Sequence, residues 1–140
     1  MTIASETIKA QLSRYGSITV EHDGEWLVVK PPSETGFTVS FYDHGDDFIV
    51  FYDGWHEHFK DVQRAIKCFV LGLTDAVRVT RYARGSCSCK WICECRTHGD
   101  WVPLGTTCRL LVPFWRRRTI SVHQNFAVPC DAAERIDIGE

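Results

Sequence analysis

Residues 36–73 decide the fold and read GFTVSFYDHGDDFIVFYDGWHEHFKDVQRAIKCFVLGL. Apolar and polar residues alternate on either side of His44-Gly45-Asp46, which predicts a β-hairpin with strands over Gly36–Asp43 and Asp47–Asp53. From Lys60 to Leu73 the apolar residues instead recur every three or four positions, which is typical of a helix packed on a core. This stretch therefore predicts two paired strands followed by the main helix of the chain.

The residues before this stretch predict one more helix and one more hairpin. Ser5–Tyr15 has apolar residues at helical spacing. Ser17–His22 and Glu25–Lys30 alternate like strands around Asp23-Gly24, a strong signal for a two-residue hairpin turn. The first half of the chain is therefore predicted to contain one helix followed by four strands.

The residues after the main helix predict four or five further strands. The candidate strands are Ala76–Ala83, Cys87–Arg96, Trp101–Leu104, Arg109–Trp115 and Arg118–Gln124. The element order predicts an α+β fold, with two helices packed on a large, curved, mainly antiparallel sheet. The order is also compatible with two α-β-β-β-β units in series.

Length and composition restrict the class of protein. The 140 residues fit one domain, which we expect over residues 1–128, followed by an acidic C-terminal tail over residues 129–140. A hydrophobic fraction of 44% excludes a disordered chain, and no apolar run reaches the roughly 18 residues that cross a bilayer. The first six residues lack the basic and apolar regions of a secretory signal, so we expect a cytoplasmic protein with no membrane partner.

Large apolar residues occur on both faces of the first predicted sheet. Our interpretation groups Trp26, Phe48 and Tyr52 on a second face, with Trp55 in the segment that follows. A sheet that is apolar on both sides must be covered on both sides or face a partner or ligand. These four residues are therefore the predicted ligand or partner face, which is a second core, a dimer surface or a ligand groove.

Charge is divided unequally along the chain, although the formal net charge is only −2. Residues 1–75 carry −6 (6 Lys/Arg, 12 Asp/Glu), residues 76–130 carry +7 (9 against 2), and the last ten carry −3 (1 against 4). Such a division indicates association, either between the halves, between copies, or with an anionic ligand.

Three consecutive arginines lie beside Phe114 and Trp115 in the basic part. Arg116, Arg117 and Arg118 are the candidates for binding an anionic small molecule or RNA. Four other arginines extend this set if their strands are neighbours: Arg78, Arg81, Arg84 and Arg96. The alternative is an exposed strand end that pairs with acidic residues, and a pI near 6.3 counts against a dedicated nucleic-acid protein.

Four of the seven cysteines lie at alternate positions of one predicted strand: Cys87, Cys89, Cys93 and Cys95. Period 2 places all four on one face, where cysteine serves as a small hydrophobic residue. Six residues of a strand span about 20 Å, so one metal ion cannot bind all four unless the strand bends. We therefore expect neither a metal nor a cofactor, with a metal site or a regulatory disulfide as the alternatives.

His56 and His58 lie between a predicted strand and the main helix. With the acidic residues beside them, they can bind a divalent metal or take part in acid–base chemistry. The alternative is a packing segment, in which Trp55 and Phe59 anchor the connection to the helix. This pair is the runner-up candidate for a metal or enzyme site.

These features favour a small protein-interaction or regulatory module that self-associates, with a protein partner or a second copy as its ligand. An enzyme is less favoured, because the sequence has no nucleotide-binding glycine motif, nucleophile elbow or HExxH motif. Two alternatives stay open. One is a binder of an anionic small molecule or RNA through the Arg-rich half, and the other is a small metal-dependent enzyme using His56 and His58.

Overall fold

Two helices and nine strands make up the part of the chain that the computed structural model describes, residues 3–15, 18–31, 33–109 and 111–127. In chain order they are α1 (Ile3–Leu12), β1 (Val20–Asp23), β2 (Trp26–Val29), β3 (Val39–Asp43), β4 (Phe48–Tyr52), β5 (Trp55–Phe59), α2 (Val62–Leu71), β6 (Val77–Arg84), β7 (Cys87–Thr97), β8 (Asp100–Cys108) and β9 (Arg118–Gln124). The predicted α+β class is confirmed. The predicted tail over residues 129–140 lies outside the described residues.

The strands divide between two antiparallel sheets. A five-stranded sheet has the order β1-β2-β3-β4-β5, and a four-stranded sheet has the order β8-β7-β6-β9. Helix α2 packs on one face of the five-stranded sheet against β3, β4 and β5, and α1 packs against α2 and contributes to the same core. Neither helix of the described residues is long and apolar enough to cross a membrane.

Helix α2 has a defined start and end. The Asp61 side chain caps its start by accepting a hydrogen bond from the Gln63 backbone N–H at 2.9 Å. At its end, the Gly72 N–H donates to the Cys68 carbonyl at 3.2 Å, and a Cβ on Gly72 would overlap the Tyr52 ring. A residue larger than glycine is therefore excluded where the helix meets β4.

The segment predicted to join the second hairpin to α2 is a strand. β5 pairs with β4 along its whole length, from Tyr52 opposite Trp55 to Phe48 opposite Phe59. Asp53 has a positive φ of 56°, which aspartate tolerates in tight turns, and it connects β4 to β5 together with Gly54. The five-stranded sheet therefore has one strand more than the sequence predicts.

The structure also differs from two of the strands predicted in the second half. Asp100–Cys108 forms one continuous strand where a short strand and a turn are predicted. The apolar run Arg109–Trp115 is not a strand over its described residues, and Leu111, Phe114 and Trp115 are 87%, 76% and 72% exposed. This run lies at the surface because no neighbouring strand of the described residues pairs with it.

Polar contacts join the two sheets. Asp53 Oδ2 accepts hydrogen bonds from Trp91 Nε1 at 2.9 Å and from Arg81 Nη1 at 3.2 Å. Asn125, just after β9, bonds the backbone of Phe37 and of Gly72. These contacts fix β6, β7 and β9 relative to the five-stranded sheet, and with them the side chains on the far face of the four-stranded sheet.

Candidate functional site

The predicted partner face is not a single surface. Phe48, Tyr52 and Trp55 are buried in the hydrophobic core, whereas Trp26 lies on the opposite, outer face of the five-stranded sheet. The reason is the length of one turn. A three-residue turn at His44–Asp46 would pair Asp43 with Asp47, but the structure pairs Asp43 with Phe48. One extra turn residue moves every β4 side chain to the other face.

On that outer face, aromatic rings form a continuous row. The Trp26 ring lies 4.8 Å from Tyr42 and 5.4 Å from Phe51, measured between ring centroids. Phe51 in turn stacks on His56 at 5.3 Å. These residues are half-buried or exposed, so the row is the open aromatic face of this sheet.

His56 and His58 are exposed on the outer face at the β5 edge, with ring centroids 5.8 Å apart. The described residues contain no group of three or more His, Cys, Asp or Glu side chains arranged to hold a metal ion. The structure therefore supplies no further ligand for the runner-up metal site.

The four cysteines of β7 do not share one environment. Cys93 is fully buried in the core and Cys95 packs against it, and burial raises the pKa of the Cys93 thiol above its ordinary range. Cys89 is buried outside that core cluster. A register shift between β6 and β7 pairs Cys87 with Arg84, away from the core. The core interpretation therefore holds for Cys93 and Cys95 but not for Cys87, and all four are free thiols.

The three consecutive arginines also separate. Arg118 begins β9, and its guanidinium carbon lies 4.9 Å from the centre of the Tyr82 ring. Arg116 packs along the Gly85 turn, and the Arg117 carbonyl accepts a hydrogen bond from the Gly85 N–H at 3.0 Å. Arg116 and Arg117 therefore anchor the loop, while Arg118 points over the sheet.

Arg118 lies in a cleft of about 400 Å³ at the end of the four-stranded sheet. Four cations line this cleft, Arg84, Lys90, Arg109 and Arg118, with Tyr82 among them. Lys90 Nζ lies 5.3 Å from the centre of the Tyr82 ring. The described residues that line the cleft include no Asp or Glu. We call this site the basic cleft.

Within the basic cleft, like charges lie side by side. Arg84 and Arg118 are direct cross-strand partners in the β6–β9 ladder. Like charges at opposed positions destabilise a sheet by roughly 0.2–1 kcal/mol. A carboxylate between the strands would remove this cost, and none of the described residues forms an ion pair with either arginine.

The other arginines of the sheet show the contrast. Arg78 pairs with Glu94 at 2.9 Å, Arg81 with Asp53 at 3.2 Å, and Arg96 with Asp75 at 3.2 Å. Ion pairs therefore neutralise these three arginines. The fourth arginine that could extend the predicted anion site, Arg84, joins Arg118 in the basic cleft. Sequence reasoning did not single out Tyr82, Lys90 and Arg109, because they meet only through the pairing of β6, β7, β8 and β9.

A second, smaller cleft of about 210 Å³ lies between the sheets at Asp53, Arg81 and His123. His123 Nδ1 lies 3.2 Å from the Gly36 carbonyl, and its Nε2 lies 2.9 Å from Ser121 Oγ and 3.2 Å from Arg81 Nη2. Because a carbonyl only accepts and a guanidinium only donates, these contacts are satisfied when His123 donates from Nδ1 and accepts at Nε2. These polar groups satisfy one another and stabilise the contact between the sheets.

No protein-family model, curated protein or solved structure matches this chain.

Proposed function

We propose that this protein binds a phosphate-bearing anion in the basic cleft. The observation that supports it is the convergence of Arg84, Lys90, Arg109 and Arg118 on one cavity with no carboxylate among the described lining residues. This charge arrangement costs stability, and a bound anion offsets that cost. A purely structural role would favour ion pairs of the kind that Arg78 and Arg81 form in the same sheet.

The residue types suit phosphate. Each arginine offers a planar fork that can bind two phosphate oxygens, and Lys90 adds a compact point charge. Partial enclosure in the cleft strengthens these charge-assisted bonds relative to an open surface. The Tyr82 ring contacts two of these cations, because the Arg118 guanidinium carbon lies 4.9 Å and Lys90 Nζ lies 5.3 Å from its centre, and it helps to hold both charges at the cleft.

Calorimetric titration with pyrophosphate and with tripolyphosphate tests the proposal. We expect binding that weakens as salt is added, and a loss of about tenfold or more in affinity for Arg84→Gln and for Arg118→Gln. Arg64→Gln is the matched control, because Arg64 is an exposed cation on α2. Wild-type protein that binds neither anion, or Arg84→Gln protein that binds as tightly as wild type, would contradict the proposal.

We also propose a second candidate function, self-association through the outer face of the five-stranded sheet. Trp26, Tyr42 and Phe51 form its ring cluster, and Glu21 and Asp23 lie on the same face. The basic second half of another copy complements this charge. Light scattering should give a mass above that of the monomer, and Trp26→Lys should return it to the monomer. A monomeric wild-type protein at every concentration rules this candidate out.

A further inference from the structure

A second aromatic–cation cluster lies on the same face of the four-stranded sheet as the basic cleft. Trp101 has the guanidinium carbons of Arg78 and Arg96 at 4.2 Å and 5.3 Å from its ring centre. Arg78 and Tyr82 lie four residues apart on β6, so their side chains share this face, about 13 Å apart. One small ligand cannot contact both clusters, whereas an extended ligand can.

Apolar side chains lie on the surface between the two clusters. Ile120 and Val122 of β9 are 55% and 57% exposed, and Ile92 of β7 is half-buried on the other side of Thr80. Ile120 pairs with Tyr82, and Val122 pairs with Thr80, which places both on the face of the cleft. A ligand that spans the clusters therefore covers apolar side chains as well as cations, and a ligand with apolar groups of its own gains more from this surface than inorganic polyphosphate does.

The loop that follows the cleft residue Val112 carries two exposed aromatic rings. Phe114 and Trp115 are 76% and 72% exposed, with ring centroids 5.4 Å apart. The loop that carries them is held beside the cleft, because the Gly85 N–H donates to the Arg117 carbonyl at 3.0 Å. Exposed rings of this size beside unpaired cations are typical of a surface on which planar groups stack.

From these three features, we infer that the face of the four-stranded sheet that carries the basic cleft binds single-stranded nucleic acid. The backbone phosphates lie in the basic cleft, and unpaired bases stack on Phe114, Trp115 and the apolar surface toward Trp101. This inference rests on the proposed function, since the cleft supplies its phosphate subsite. It adds the substrate class and a set of residues that a small phosphate ligand does not need.

The geometry favours single strands over duplexes. Bases stack on protein rings only when they are free of a double helix. Duplex DNA is read by a helix or a two-stranded ribbon that enters the major groove, whereas the cations and rings here lie on a sheet face and its neighbouring loop. The unpaired cations lie at the cleft end, where Arg84, Lys90, Arg109 and Arg118 give the polyanion its electrostatic complement. Arg78 and Arg96 are ion-paired and hold the Trp101 ring instead.

Fluorescence anisotropy with a labelled single-stranded RNA of about ten nucleotides tests the inference. The same sequence as single-stranded DNA, the corresponding duplex and a phosphopeptide are run in parallel. We expect both single strands to bind more tightly than the duplex and the phosphopeptide. Removing one phosphate contact with Arg84→Gln should lower the slope of log affinity against log salt by about 0.7.

The loop rings provide the decisive variants, because their exposure makes them replaceable without loss of the fold. Phe114→Ala combined with Trp115→Ala should weaken RNA binding about tenfold or more and leave pyrophosphate binding unchanged. Leu111→Ala is the matched control, since Leu111 is 87% exposed on the same loop and has no ring. It should alter RNA affinity by less than about twofold.

The outcomes separate this inference from the proposed function. Pyrophosphate binding that depends on Arg84, together with weak RNA binding, overturns the inference and leaves the proposed function intact. The inference is also overturned if the Phe114 and Trp115 substitutions leave the affinity for RNA unchanged. A duplex or phosphopeptide that binds at least as tightly as the single strands overturns it as well. Failure of every anion to bind overturns both.

Discussion

Asn125 gives the sharpest test of how β9 is held. Its side chain is 2% exposed, and Oδ1 accepts a hydrogen bond from the Phe37 N–H at 3.0 Å. Nδ2 donates to the Phe37 carbonyl at 3.0 Å and to the Gly72 carbonyl at 2.9 Å. One amide therefore joins the end of β9 to the segment before β3 and to the end of α2.

The cost of Asn125→Ala follows from these three bonds. The change leaves one buried N–H and two buried carbonyls without this partner, at about 1–1.5 kcal/mol each. We expect a loss of about 3–4.5 kcal/mol, a large part of the roughly 5–15 kcal/mol that holds a domain together. Asn125→Asp should lose at least as much at neutral pH, because it keeps the acceptor but turns a carboxylate oxygen toward both carbonyls.

Urea unfolding followed by tryptophan fluorescence measures these values, and the chain has five tryptophans. Phe126→Ala is the matched control, because Phe126 is the next residue and is 66% exposed, so its replacement should change stability by less than about 0.5 kcal/mol. A loss below about 1 kcal/mol for Asn125→Ala, or wild-type stability for Asn125→Asp, would show that these three hydrogen bonds do not hold the end of β9.

Three further predictions follow from the structure. Gly54→Ala places a Cβ inside the buried Trp91 indole, so calorimetry should show a loss of about 1–3 kcal/mol, and an unchanged melting temperature would contradict the packing. Arg84→Gln removes a like-charge contact, so its melting temperature at low salt should equal or exceed that of wild type, with a difference that vanishes at high salt; a clear fall would show a structural role. Burial raises the pKa of Cys68 to about 12 from an ordinary value near 9.0, so native Cys68 should resist thiol reagents that modify the exposed Cys108. Because the Cys68 thiol of the unfolded chain loses its proton at lower pH than that of the folded chain, stability should fall as pH rises from about 9 toward 12. Equal labelling of Cys68 and Cys108 would disprove the burial of Cys68.

The elements with a clear period could be predicted from the sequence. Residues 60–73 repeat at helical spacing, and the structure has α2 at Val62–Leu71. β5 was missed because its three central residues, His56-Glu57-His58, are all polar and exposed, so no apolar alternation marks the strand.

The side of the sheet on which each β4 side chain lies could not be predicted, because it depends on whether the turn after Asp43 has three residues or four. His44 N–H donates to the Asp47 carbonyl at 3.0 Å, which makes Asp47 part of the turn. That single residue places Phe48 and Tyr52 in the core, on the face opposite to that of Trp26.

The candidate site was only partly predictable for a similar reason. The excess of arginine in residues 76–130 is visible in the sequence, and Arg118 is among the predicted anion-binding residues. Its neighbours Arg84, Lys90 and Arg109 come from three other parts of the chain. They converge through the β6–β9 pairing and through a register shift between β6 and β7, which no local pattern encodes.

Amide chemical-shift mapping during a pyrophosphate titration shows whether the basic cleft binds an anion. We expect saturable shifts concentrated at the residues that line the cleft, Tyr82, Arg84, Lys90, Arg109 and Arg118. Arg84→Gln should abolish the saturation at the same anion concentration. Shifts spread over every surface cation, or centred on the ion-paired Arg78 and Arg96 instead, would contradict the claim.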